Sequence, residues 1–298
     1  MSQLAELRTL IARHARNSGL GSLMPGLSMS ADASRTEPLA RIYEPIFGIV
    51  AQGAKRTMVA DRMFDYRPGH YLVVSVDLPV TCQVTQASAR APFLGVGLTL
   101  KPDLIASVML ESESARPSLH PQPILVSEAS GDLLEPVVRL VRLLDHPRDI
   151  PFLRPMIERE IVWRLLGDEQ GGTIRRLGVA DSTLSRIGRA TRWIREHYAE
   201  PFRVQDLARH VAMSPTSLHR HFRAATAMSP LQYLKRIRLH EARTRMMTKG
   251  EDVANVGFSV GYESPSQFSR EYARAFGAPP SRDAAKLRSA LEPNPRGI

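Results

Sequence analysis

Two short segments hold side chains whose types and spacing could recognise a hydrogen-bonding surface. SPTSLHRHFR carries Thr216, His219, Arg220 and Arg223, and SPSQFSREY carries Ser266, Gln267 and Arg270. A guanidinium presents two parallel N–H donors that match O6 and N7 of guanine, and a carboxamide matches N6 and N7 of adenine. Arg220 and Arg270 are therefore candidates for guanine, and Gln267 for adenine. Thr216 and Ser266 could touch a base edge or, for Thr216, a thymine methyl. His219 could read a base or a phosphate, and Arg223 suits phosphate.

Other chemistry finds little support. His14, His70, His120 and His146 are isolated, no His-x-His occurs, and Cys82 is the only cysteine. A metal site needs several such ligands converging, so no metal and no cofactor is expected. QGGT lacks the lysine and the preceding strand of a phosphate loop, and no nucleophile elbow or paired carboxylates occur. The chain is not expected to be an enzyme. His70, in RPGHY, reads as a surface or edge histidine. Cys82, alternating with Val80 and Val84, reads as a small buried side chain. Met156, Met213 and Met246 read as core filler.

Helices must position the candidate residues. VQDLARHVAMSPTSLHRHF predicts a helix over 205–211, a tight turn at 212–214 and a second helix from Pro215, with Ser214 as its cap. Leu207, Val211, Leu218 and Phe222 supply the shared core and leave the candidate residues outside. EDVANVGFSVGYESPSQFSREYARAF repeats the pattern. Val253 and Ala254 stand for Leu207 and Ala208, Ser264-Pro265 for Ser214-Pro215, and Phe268 and Tyr272 for Leu218 and Phe222. The two recognition helices are placed at 215–225 and 264–276. Between the units, SPLQYLKRIRLHEARTRMM predicts a helix of about nineteen residues, hence ~29 Å, against ~34 Å between successive major-groove faces on one side of DNA.

Charge agrees with this placement. The 298 residues carry 40 Lys and Arg against 30 Asp and Glu, a formal +10, and the excess lies wholly in residues 184–298, which hold 20 against 10. Solubility alone would not confine it there, so the C-terminal part is expected to meet a polyanion, double-stranded DNA. With one cysteine and no stretch near the ~18 apolar residues of a membrane span, a cytoplasmic protein with no membrane partner is expected.

The N-terminal part is patterned differently. Leu4, Leu7 and Ile11 predict a short amphipathic helix before a flexible stretch, 18–33. From Ile42 to Leu100, short Val/Ile/Tyr/Phe-rich runs separated by turn signals predict an antiparallel sheet or barrel. Residues 132–145 and 151–167 then predict a helical hairpin over 131–167. Its apolar stripes exceed what a small barrel needs covered, so it is a candidate homodimer interface. EQGGTIRRLG predicts a linker, because paired glycines separate two helical patterns.

LARHVAMSPTSLHRHF, SPLQYLKRIRLHEAR and VANVGFSVGYESPSQFSREYARAFGAPPS together resemble the DNA-binding domain of the AraC/XylS family of bacterial transcription regulators. The likeness covers about 185–288, with PPSRDA where that family has an aromatic-Arg pair after the proline. YEPIFGIVAQGAKRTM and YRPGHYLVVSVDLPV resemble the N-terminal domain of one AraC-type branch. The resemblance implies an α+β protein: a cupin-like β jelly roll with a helical hairpin, then an all-α domain with two helix-turn-helix units. It implies a base-contacting arginine at Arg220, a small-molecule effector, RNA polymerase as a partner, and activation. The expected division is 1–168 for effector sensing and dimerisation, 169–182 as linker, and 183–298 for DNA binding. The rival reading is a cupin-like enzyme fused to a DNA-targeting module.

Overall fold

The computed structural model describes residues 2–15, 24–111, 124–168, 171–179, 182–248 and 252–291. His120 lies outside them, as does the side chain of Ala254. The first helix, α1 (Gln3–His14), is capped by Ser2 and buries Leu7, Leu10 and Ile11. Nine strands follow among the described residues: β1 (Leu27–Asp32), β2 (Leu39–Tyr43), β3 (Ile46–Gln52), β4 (Ala54–Val59), β5 (Arg62–Tyr66), β6 (His70–Val74), β7 (Leu78–Gln86), β8 (Phe93–Thr99) and β9 (Ile124–Glu128). The stretch 18–33 expected to be flexible thus contains an edge strand, whose Leu27 is buried.

The strands form two antiparallel sheets, β1-β8-β3-β6-β9 and β2-β7-β4-β5. Sequence neighbours lie in opposite sheets at several steps, as in a jelly-roll sandwich. Alternation decides the faces: Val80, Cys82 and Val84 of β7 are buried while Thr81 and Gln83 are half-exposed. Helices cover the outer face of the first sheet. After α2 (Pro102–Leu110), the hairpin comprises α3 (Gly131–Arg142), two short 3-10 turns at 143–145 and 147–149, and α4 (Ile150–Gly167). Val137, Leu140 and Ile161 of the hairpin meet Leu27, Phe47, Val96 and Leu98 of the sheet.

The opposite face of α4 is open. Phe152, Met156 and Trp163, spaced along one stripe, are 77%, 67% and 49% exposed. Met156 is therefore surface, not core filler; the four-residue step to Phe152 points both away from buried Ile157 and Ile161. Met246 is buried and Met213 half-buried.

The glycine pair expected in a linker instead opens a helix, α5 (Gly171–Gly178), with Thr173, Ile174 and Leu177 buried. A Cβ on Gly171 would stand 2.1 Å from the carbonyl oxygen of Leu166. The glycine serves a close approach of backbones rather than a loose joint.

Seven helices complete the described chain: α6 (Thr183–Glu196), α7 (Val204–His210), α8 (Pro215–Thr226), α9 (Pro230–Thr248), α10 (Val253–Ser259), α11 (Pro265–Phe276) and α12 (Pro280–Leu291). They are divided between two hydrophobic cores. Leu207, Val211, Leu218, Phe222, Tyr233, Leu234 and Ile237 join the core of the β sandwich. Leu239, Ala242, Met246, Val256, Val260, Tyr262, Phe268, Tyr272 and Ala284 form a separate one. The long helix α9 passes from one core to the other between residues 237 and 239.

Asp283 fastens α12 to the second core. Its carboxylate accepts from Arg243 Nε at 2.8 Å, Arg243 Nη2 at 3.0 Å and Tyr272 Oη at 2.7 Å. This residue belongs to the PPSRDA segment, so an ion pair and a phenol hold this helix.

His240, also buried, meets the ring of Phe276 edge-on at 5.8 Å. Burial, helped by Arg236 and Arg243, lowers its titration to about 3, against about 6.5 in an unfolded chain. The folded form thus refuses a proton that the unfolded form accepts. Its contribution to stability is fully present above about pH 6.5 and is lost as pH falls toward 3. Replacing it by Phe is expected to flatten urea stability between about pH 6.5 and 4.5 by one proton's worth of slope; an unchanged slope would show that His240 does not titrate this way.

Candidate nucleic-acid interface

Both recognition helices begin with the same device. Ser214 Oγ accepts from the Ser217 N–H at 3.2 Å, and Ser264 Oγ from the Gln267 N–H at 3.4 Å, with proline next in each case. The turn before α8 places Ala212 at φ 51°, and the turn before α11 uses Gly261 at φ 92°. A Cβ on Gly261 would come within 2.8 Å of both the Ala199 carbonyl oxygen and the Arg238 guanidinium. Arg238 there donates to the carbonyls of Tyr198, Glu200 and Gly261, fixing the end of α6 against the second unit.

Aromatic packing fixes which faces point outward. Phe222 meets Tyr233 edge-on at 5.4 Å, and Tyr262, Phe268, Tyr272 and Phe276 form a run of tilted rings 5.3, 5.6 and 4.6 Å apart. With Leu218, Phe222, Phe268 and Tyr272 inside, Thr216, His219, Arg220 and Arg223 are exposed on α8, and Ser266, Gln267 and Arg270 on α11. Arg220 and Arg270 both stand six residues after the capping serine. The duplicated backbone therefore presents a guanidinium at the same place twice.

Local partners hold some of these groups. Arg220 Nη2 lies 3.2 Å from His221 Nε2, and burial together with Arg220 lowers the His221 titration. Arg270 Nε donates to the Ser266 carbonyl at 3.2 Å, and Gln267 Nε2 to Glu271 at 3.2 Å. Glu271 also accepts from Lys235 and Tyr262. Burial alone would raise its carboxyl, but these hydrogen bonds outweigh it and hold it below the usual range. Lys235 is committed to Glu271 at 2.6 Å.

Arg195 is also committed elsewhere. It reaches Glu44 at 2.9 Å, in the turn between β2 and β3, and Asp77 at 3.4 Å, between β6 and β7. Burial raises the Asp77 carboxyl above its usual range, with Arg195 opposing. Tyr233 Oη donates to the Asp77 carbonyl at 2.8 Å. The β sandwich thus contacts α6 and α9, and through Tyr233 the ring of Phe222 beneath the first recognition helix. Residues separated by more than 150 positions meet here.

A β sandwich joined to two exposed, basic, serine-capped helices, each preceded by a turn and a shorter helix, has the architecture of a helix-turn-helix protein. Residues 23–173 match the family AraC-type transcriptional regulator N-terminus, and residues 207–285 match a helix-turn-helix domain. The chain belongs to the AraC-type transcriptional regulators.

Its relatives include the HTH-type transcriptional activator RhaS of Escherichia fergusonii, 31% identical over 100 residues, which are 34% of this chain and 36% of RhaS. RhaS of Yersinia pestis bv. Antiqua is 27% identical over 163 residues, 54% of this chain and 58% of that one. The chain thus spans between about a third and three fifths of these curated relatives. In fold it is similar to an apo form of a ToxT variant from Vibrio cholerae strain SCE256, with TM-score 0.55 at 9% identity over 89% of this chain and 98% of that one. Unsaturated fatty acid-bound wild-type ToxT from the same strain gives TM-score 0.56 at 9% identity, over 89% and 95% of the two chains. The RhaS relatives are named as transcriptional activators, and the enzyme alternative is not favoured. Among the described residues, no group of three or more His, Cys, Asp or Glu could hold a metal ion, and no helix is long and apolar enough to cross a membrane.

Proposed function

We propose that the chain is an effector-responsive transcription activator that lays α8 and α11 in successive major grooves of double-stranded DNA. The observation that carries this reading is the matched placement of Arg220 and Arg270 on two exposed helices. Arg220 and Arg270 read guanine, Gln267 turns from Glu271 to adenine, Thr216, His219 and Ser266 touch base edges, and Arg223 meets phosphate. The nineteen-residue helix α9, ~29 Å long, links the two units, which are to occupy major grooves ~34 Å apart.

Residues 1–168 sense the effector, residues 183–298 bind DNA, and RNA polymerase is the partner in activation. The similarity to the RhaS activators and to fatty acid-bound ToxT supports activation and a small organic effector. Such a protein works in the cytoplasm, where DNA and polymerase are. A second copy of the chain covers the Phe152, Met156 and Trp163 stripe of α4, where three large apolar groups otherwise face water.

Titration of the full chain onto promoter fragments next to its own coding region tests both parts. The expected result is a steep fall of affinity with salt, ~10-fold or more between 50 and 200 mM, and two chains per operator. Salt-insensitive or absent binding would sink the DNA-reading proposal, and one chain per operator would remove the dimer.

A further inference from the structure

The two cores strung along α9 share almost nothing. Ile237 belongs to the first and Leu239 to the second, and among the described residues Tyr198 alone packs against both. Two units mounted on one helix can swivel about its axis, so contacts between the units must set the angle. Arg238, which stands between Ile237 and Leu239, makes those contacts. Its Nε donates to the Tyr198 carbonyl at 2.7 Å and its Nη2 to the Glu200 carbonyl at 3.0 Å, both in the connection from α6 to α7. Its Nη1 donates to the Gly261 carbonyl at 2.8 Å, in the turn that leads into α11. The planar fork of a guanidinium holds its acceptors at fixed relative positions.

Stability alone gives no reason for a guanidinium here. Arg238 is half-buried, and these three partners are carbonyls rather than carboxylates. Burial pulls its pKa below the usual range, against the opposing pull of Tyr262, Glu263 and Glu271. An apolar side chain of similar volume would avoid that desolvation. The surroundings are fitted to the same contact. Gly261 has φ 92°, and a Cβ there would strike both the Ala199 carbonyl oxygen and the Arg238 guanidinium. Next to it, Tyr262 Oη donates to Glu271 of α11 at 2.9 Å, so the turn is tied to the second recognition helix. From α9, Arg245 donates to Tyr198 Oη at 2.7 Å and to Ser259 Oγ of α10 at 3.0 Å, which braces the same connection against the second unit.

We propose that Arg238 is the joint that fixes the angle between the two readers, and so selects the spacing of the two DNA segments that one chain can occupy at once. The inference rests on the two-groove reading above. Arg238 is a positioning residue: it acts through Gly261 and the start of α11 rather than on a base. Each base pair inserted between the segments moves the second groove by ~3.4 Å and rotates it by about a tenth of a turn. A reader held at one angle cannot follow that rotation and keep both contacts. A reader free to swivel can follow it, but its second contact has a lower effective concentration.

The test uses a duplex selected from a randomised pool by the full wild-type chain. Copies of it are lengthened or shortened by one base pair between the segments that Arg220→Ala and Arg270→Ala identify. The wild type is expected to bind the altered spacings at least ~10-fold more weakly. Arg238→Met is expected to bind the selected duplex ~10-fold more weakly than the wild type does, and to discriminate against the altered spacings by less than ~3-fold. Arg238→Gln, which keeps a single donor group, should behave in the same way. Both variants should bind a duplex carrying only the Arg220 segment as the wild type does, because α8 rests on the other core. The joint is overturned if the wild type tolerates the altered spacings, or if folded Arg238→Met or Arg238→Gln keeps the wild-type preference. It is overturned equally if binding to the Arg220 segment falls with the rest, which would show a general loss of structure. A wild-type chain that selects no sequence overturns the DNA-reading proposal and this one together; the other outcomes overturn the joint alone.

Discussion

Asp283→Ala is expected to lose about 3 to 5 kcal/mol of stability, the cost of leaving one member of a buried ion pair without its partner. The side chains of Arg243 and Asp283 are 11% and 7% exposed. Removal of the carboxylate strips the guanidinium of both hydrogen bonds and leaves the Tyr272 hydroxyl without its acceptor. Tyr272 is on the buried face of the second recognition helix, so damage should centre on α11 and α12 and spare the β sandwich. Asp283→Asn, which keeps the volume and one acceptor, should cost less. The double change Arg243→Met, Asp283→Leu should recover part of the loss, because it removes both charges together. Urea unfolding of the full chain measures all three. A loss below about 1 kcal/mol for Asp283→Ala would mean that water replaces the carboxylate readily.

The double variant Arg220→Ala, Arg270→Ala is expected to weaken operator binding by about 2 to 6 kcal/mol, since each bidentate guanine contact contributes about 1 to 3. The two residues sit on separate helices with separate cores, so their effects should add. Both are exposed, and unfolding should change by no more than about 0.5 kcal/mol. Affinities for the operator and for a scrambled duplex of equal length, measured at one salt concentration, decide the roles. Loss confined to the operator means base reading, whereas equal loss on both duplexes demotes the arginines to phosphate contacts.

Local order was the legible part of this protein. Ser214-Pro215 and Ser264-Pro265 announce helix starts because cap and first-turn geometry depend on neighbouring residues only. Leu218, Phe222, Phe268 and Tyr272 announce the buried face because the helical period is fixed. The outward direction of Arg220 and Arg270 follows from those two facts. What escaped the sequence depends on distant partners. Arg195 looks like any surface arginine until Glu44 and Asp77 are brought to it, and Lys235 until Glu271 is. Gly171 carries the signature of a loose joint, and only the position of the Leu166 carbonyl reveals a tight one. Met156 has the composition of core and the exposure of surface, since periodicity cannot say which face of an amphipathic hairpin meets its own sheet.

The passage of α9 between two cores gives the two readers different standing. The helix that carries Arg220 rests on the same core as the β sandwich and can open only at that core's expense. The helix that carries Arg270 rests on a small core of its own and can unfold locally while the remainder stays native. On DNA, a rigid rod of nineteen residues makes the second groove contact an intramolecular event, with an effective concentration that a flexible tether of equal length would not give. Whatever strain the sandwich imposes through Tyr233 falls on the first contact, and the second contact multiplies the outcome. Under the proposed mode of DNA binding, the protein would be a bivalent binder with one arm coupled to the sandwich and one resting on its own core.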